Sequence, residues 1–360
     1  MEPLKVSYDD SHGPSTSLRS AEWLSPPSDQ CRASGDVPSG RVRRILSHVL
    51  LQWFGTVFAT SGFAYLWILM GASIASIPRT PGWVLLGVAM LTLLLLVCAY
   101  ALKMLLLWQL CRTELRDPHA FSLLAGLTAG MLLISAGCVD INVVMAEVFW
   151  WISCAAHSLV VIVLISGYFC EIYGGERHLS WLVPSSFIAP ICMALIPLGA
   201  GPLGYTQVAW MSWGVGAFFF VVLYPLIFLR VAFVLPLLRR RRPQLFIFLG
   251  ACCLLANGYF ASVRFEHGIG ALPNDLVNAF YGLALFMALL IVVIHLRVGW
   301  VEPSAAYWTY VFPLSALAAV TVNYYLSVGA LWCEIMMWIC VGMASVAYVL
   351  VWGITLVLFV

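Results

Sequence analysis

Charge is what this sequence has least of. Asp, Glu, Lys and Arg make up only 9% of its 360 residues, where a soluble domain averages roughly 25%. Mean hydropathy is +0.97, which excludes a chain solvated mainly by water. Eleven cysteines are present, yet none form a C-x-x-C pair or join histidines at metal-ligand spacing. Neither a zinc site nor a disulfide framework is indicated, and no metal or cofactor is expected. N-x-[ST] glycosylation acceptors are missing as well. No nucleophile–base motif or metal-spaced carboxylate pair stands in the apolar stretches, so the chain does not read as an enzyme. The one basic block, Arg239 to Arg242, lies between apolar spans without interleaved aromatics, and nucleic acid is not an expected partner. The first 40 residues lack the apolar core of a signal peptide, which leaves the first membrane helix as the expected insertion signal.

What is present in abundance is apolar sequence in lengths that cross a bilayer, about 20 residues each. Residues 1–44 read as a disordered cytoplasmic tail rich in Ser, Pro, Gly and Asp, too polar to order itself. Ten spans are expected at 45–71, 82–110, 119–138, 143–170, 181–199, 205–236, 244–263, 271–297, 304–326 and 329–359. The fold class is therefore an all-α polytopic membrane protein built from five helical hairpins. With ten spans, Arg79 and Arg264 are the only two of the 18 Lys and Arg residues that fall opposite the tail. The positive-inside bias then places both termini in the cytoplasm, in a plasma or cell membrane.

The odd and even spans differ in kind. The odd spans carry no charge through their central turns and are rich in Gly, Ala, Ser, Thr and aromatics, as in "FSLLAGLTAG" and "FIFLGACCLLANGYFAS". The even spans are greasier and hold Lys103, Glu147, His157, Arg230, His295 and Arg297. Small residues and prolines suit positions where helices approach closely or surround a cavity. This asymmetry predicts an inner ring of five odd helices inside an outer ring of five even ones. Lys103 and Arg297, near the ends of their spans, are expected to snorkel to the interface. His157 is a candidate proton relay, with Glu147 as a second ionisable position near an extracellular end.

Three stretches carry a resemblance. These are "YWTYVFPLSALA" (Tyr307 to Ala318), "WFGTVFATSGFAYLW" (Trp53 to Trp67) and "YALKMLLLWQLCRTELRDPHAF", which contains Lys103, Glu114 and Pro118. On them the chain resembles the tellurite-resistance/dicarboxylate transporter family, which includes plant slow-type anion channels, a bacterial tellurite-resistance protein, a yeast malate permease and fungal sulfite exporters. The resemblance implies five kinked inner helices around a central pore, often in a homotrimer with one pore per subunit. It also implies a phenylalanine plug before the ninth-helix proline, here Phe312 before Pro313. Phe54, Gly55, Gly126, Pro190 and Gly250 are the expected pore-lining positions. The chain departs from the family at Leu127 and Cys252, where mid-helix prolines are usual.

These features lead to one functional expectation and one rival. Pro313 removes the hydrogen bond to the Thr309 carbonyl and is expected to bend its helix. A neutral pore would attract small anions through helix ends and exposed amides, with Phe312 closing a dewetted constriction. The rival is a proton-coupled carrier or exporter of malate, sulfite or related acids, with His157 or Glu147 as the proton site.

Overall fold

The structure is a computed structural model that describes residues 41–170, 182–234, 237, 239–267, 275–298 and 304–359. The regular structure of these residues is helical. Among the described residues, nine helices are long and apolar enough to cross a membrane: α1 (Leu51–Ser73), α2 (Thr80–Leu106), α3 (Pro118–Cys138), α4 (Val143–Phe169), α6 (Thr206–Val234), α7 (Arg241–Arg264), α8 (Asp275–Arg297), α9 (Ala305–Val328) and α10 (Leu331–Val357). Between α4 and α6 lies a shorter apolar element, α5 (Pro184–Ala200). Together they make an integral, multi-pass, all-α membrane protein.

The fifth expected span differs most from its reading. Pro184, Pro190 and Pro197 divide α5 into alternating 3₁₀ and α turns: Pro184–Phe187, Ile188–Ile191, Cys192–Leu195 and Ile196–Ala200. Each proline withholds an N–H and crowds the preceding turn, so no long α-helix forms. The 3₁₀ turns rise faster per residue, so the element is longer than an α-helix of the same 17 residues. Every residue from Val183 to Ala200 except Ile188 is buried. With no lipid-facing side, the element's irregular backbone is shielded by protein.

Smaller differences lie at the ends. Residues 45–50 are not part of α1, because Arg41–Ser47 form a separate short helix before it. The expected tail thus ends inside that helix, and its residues 1–40 lie outside the described ones. Residues expected at the far end of the second span instead form a short helix, Trp108–Arg116, after a break at Leu107 with φ −137° and ψ 44°. The expected span residues 181, 235, 236 and 271–274 lie outside the described ones. At the other end of the molecule Gly329, at φ +70°, closes α9. A residue without Cβ takes this left-handed position freely, and α10 begins two residues later.

Burial confirms the two-layer reading. In the apolar windows of α1, α3, α7 and α9, 61% to 78% of residues are buried, against 17% to 39% in α2, α4, α6, α8 and α10. Each even helix packs on the odd helix before it. Around the inside, α1 packs on α3 and α9, α7 packs on α9, and α5 fits between α3 and α7. The ring is closed. Low charge and small side chains permit this: an Ala-type Cβ on Gly126 would come 3.1 Å from the Phe54 backbone, and one on Gly258 would come 2.4 Å from the Ala194 carbonyl. Close backbone approach replaces the hydrophobic drive that lipid cannot supply.

Candidate functional site

The five inner helices begin at the same end of the ring. Their opening turns, Leu51–Trp53, Pro118–Leu123, Pro184–Phe187, Arg239–Leu245 and Ala305–Tyr307, touch one another in that order, and the last touches the first. Pro118 and Pro184 stand at first-turn positions, where a missing N–H does no harm. Since the helices run parallel, the positive ends of their dipoles gather at this mouth. Within the spans the inner helices hold Arg241, Arg242 and Arg264 only at the ends of α7, and no Asp, Glu or Lys. Four of their buried hydroxyls are tied to their own backbone: Ser61 donates to Phe58 O, Ser135 to Leu132 O, Ser262 to Gly258 O and Ser315 to Val311 O. That leaves a neutral interior.

Phe312 is buried where α9 meets α1. It is 7% exposed and stacks on Phe58 of α1, with ring centroids 3.7 Å apart and planes 23° from parallel. Phe58 and Gly62, four residues apart, share one face of α1. Gly62 forms a socket for the ring, because a Cβ there would come 2.7 Å from Phe312 Cδ2 and 3.1 Å from Cε2. Pro313 sits against Gly250 of α7, whose Cβ would meet the proline Cγ at 3.2 Å. Helix α9 continues through Pro313 without interruption. The proline therefore costs one hydrogen bond without ending the helix; the side chain before it rests on α1, and the proline itself on α7.

The other expected lining residues are distributed differently. Phe54 turns toward α2, edge-on to Tyr100 with centroids 5.9 Å apart. Gly126 sits hard against the α1 backbone, Gly55 has Trp308 of α9 opposite it, and Pro190 is buried within α5. His157 of α4 is fully buried. Its Nδ1 lies 2.7 Å from Thr128 Oγ1 of α3 and its Nε2 3.0 Å from the Ala189 carbonyl of α5. The carbonyl only accepts, so Nε2 carries the proton and donates; the imidazole joins three helices. Glu147, near the start of α4 and ten residues before the mid-helix His157, is half-buried and accepts a hydrogen bond from the Tyr205 hydroxyl. The Tyr205 ring stacks on Trp150 at 5.4 Å. The two candidate proton positions are not brought together.

Lys103 does not snorkel. It is fully buried, with its ammonium 2.7 Å from Glu114 Oε2 and 2.6 Å from the Val49 carbonyl. The same carboxylate accepts the Leu51 N–H through Oε1 at 2.7 Å and the Tyr100 hydroxyl through Oε2 at 3.4 Å. The break at Leu107 folds Trp108–Arg116 back so that Glu114 reaches Lys103. This ion pair fixes the backbone where α1 begins, which is one of the five opening turns. Arg297, by contrast, is exposed, as expected.

A second polar group lies at the same mouth. Asp117 accepts the His119 N–H at 3.0 Å and caps α3. Burial pushes its carboxyl above the usual range, against the pull of that N–H and the Arg241 charge. The far mouth carries a chain of amide and guanidinium contacts. There Arg264 reaches Asn323 Oδ1 and Ser73 Oγ at 3.5 Å, Asn323 donates to Asn257 Oδ1 at 3.2 Å, and Asn257 donates to the Ala316 carbonyl at 2.9 Å. Reading by composition missed Phe58, the Gly62 socket and the Lys103–Glu114 pair. The Phe58–Gly62 spacing was the available signal for the first two.

The chain was also compared with known proteins. A family model described as "Voltage-dependent anion channel" (SLAC1) matches residues 48–360. The S-type anion channel SLAH2 of Arabidopsis thaliana is 22% identical over 332 residues, covering 89% of this chain and 61% of the relative. The chain therefore spans about six-tenths of that relative's length. With the match running from the start of α1 through the last helix, the chain belongs to the SLAC1 voltage-dependent anion channel family.

Proposed function

We propose that this protein passes small anions through the centre of its inner helix ring, with Phe312 as the constriction. The observation that carries the reading is the placement of Phe312. Its ring lies inside the bundle on Phe58 and Gly62, at a proline tolerated within a helix of the innermost layer. The inner helices supply no fixed charge in mid-span, so an anion meets only partial positive charge from helix ends and amides. Weak, distributed attraction lets an ion enter and leave, whereas a mid-span Lys or Arg would hold it. Family membership supports anions as the permeating class. The basic loops face the cytoplasm by the positive-inside rule, which makes the opening-turn mouth the cytoplasmic one. Homotrimeric assembly, implied by the resemblance, belongs to the same reading, and the mass of the purified, cross-linked protein tests it.

The test is electrical. Phe312→Ala, reconstituted in planar bilayers under a nitrate or chloride gradient, is expected to carry more current per protein than the unaltered chain. Unchanged current in a variant with the wild-type elution profile would overturn the constriction.

A further inference from the structure

Among the described residues, the buried Arg230 guanidinium has no ion-pair partner. Arg230 sits near the end of α6, where the last turns widen into a π-helix, Arg230–Val234. Such turns are uncommon and occur often at functional sites. The side chain is 7% exposed, and both Nε and Nη1 are buried without a hydrogen-bond partner. A guanidinium does not shed its proton to escape burial. Its charge needs compensation, because an unpaired buried charge costs several kcal/mol.

The surroundings do not compensate it. Arg241, from the opening turn of α7, lies within electrostatic reach and has the same sign. His119, from the opening turn of α3, lies within electrostatic reach of both arginines, and its Nδ1 is buried and unpaired. The nearby carboxylate, Asp117, acts on Arg241 and spends one oxygen on the His119 N–H. Among the described residues the ion pairs within 4.0 Å are Arg79–Asp140 and Lys103–Glu114, so neither Arg230 nor Arg241 has one. Water can satisfy an N–H but does not neutralise the charge. The opening turns Pro118–Leu123, Pro184–Phe187 and Arg239–Leu245, which carry His119 and Arg241, adjoin one another, and their dipoles add positive potential.

We propose that Arg230, with Arg241 and the His119 imidazole, binds a small inorganic anion at the mouth where the five inner helices open. Nitrate, halide or sulfite would each supply the negative charge and acceptor atoms that this cluster lacks. The guanidinium lies within the protein, which favours a free anion over a lipid phosphate. As a loading site for the pathway, it rests on the reading under Proposed function. As a binding site, it does not.

Binding is measured on the full chain in neutral detergent, as the shift in melting temperature with sodium nitrate or bromide at constant ionic strength. Gluconate serves as the bulky replacement, and a parallel series contains phosphatidylglycerol. The unaltered chain is expected to show a saturable nitrate shift, and Arg230→Gln about tenfold weaker binding, the loss of roughly one charge-assisted hydrogen bond. Equal nitrate binding in both, or stabilisation by phosphatidylglycerol alone, overturns the proposal. If Arg230→Gln does not fold, crystals of the unaltered chain grown in bromide decide: anomalous density beside the Arg230 guanidinium supports the site, and none at saturating bromide refutes it. Liposome flux separates the two readings. Flux without binding at Arg230 removes this site alone, and binding without flux removes the pathway.

Discussion

A methyl group added at Gly62 tests the placement of Phe312 without any transport measurement. In Gly62→Ala the new Cβ would lie 2.7 Å from Phe312 Cδ2 and 3.1 Å from Cε2, while Leu133 Cδ1 stands at an ordinary 3.8 Å. Carbon atoms pack comfortably at about 3.5–4.0 Å, so the ring must move by about 1 Å. That movement disturbs the stack on Phe58, whose centroid distance is already 3.7 Å. Overpacking of this kind costs about 1–3 kcal/mol, and a lost aromatic pair adds about 0.5–1.5 kcal/mol. Alanine also has better helix propensity than glycine, by about 1 kcal/mol in water, which offsets part of the loss. The same substitution in a Phe312→Ala background meets no ring. There it is expected to be neutral or slightly stabilising. Melting temperatures of the four proteins in detergent form the cycle, with the coupling between the two sites as its result. Equal destabilisation by Gly62→Ala in both backgrounds would show that Phe312 does not rest on Gly62.

Two further expectations concern the polar contacts between helices. Lys103→Met leaves the Glu114 carboxylate buried without its cation and is expected to lose about 3–5 kcal/mol, whereas Lys103→Met/Glu114→Gln removes the ion pair as a unit and recovers much of it; a wild-type melting curve for Lys103→Met would refute the pairing. His157→Leu strands the Ala189 carbonyl and Thr128 hydroxyl at a cost of about 1–3 kcal/mol. Its flux per folded protein should keep the wild-type dependence on a pH gradient, and loss of that dependence would favour a proton-coupled carrier.

The two-layer architecture was legible because lipid and protein demand different side chains. "FSLLAGLTAG" is too small and "TLLLLVC" too uniformly greasy for each to take the other's place, and burial divides them accordingly. The three prolines of the fifth segment are plain in the sequence, but the alternation of 3₁₀ and α turns around them is not. What remained hidden depends on where the chain turns. Lys103 and Glu114 are eleven residues apart, about 16 Å along a straight helix, and only the break at Leu107 makes them partners. Reading the second span through to residue 110 concealed that break and led to the snorkelling expectation. Phe54 and Phe58 also look equivalent in sequence. Four residues along one turn of α1, they nonetheless diverge, because Tyr100 of α2 takes one ring and Phe312 of α9 the other.

The central claim is that a neutral ring of inner helices encloses an anion route closed by one benzyl side chain. Single-protein current through Phe312→Ala in a planar bilayer tests it most directly. The account predicts a larger anion current than the unaltered protein carries under the same gradient. An equal or smaller current, from a variant that folds and inserts normally, would contradict it.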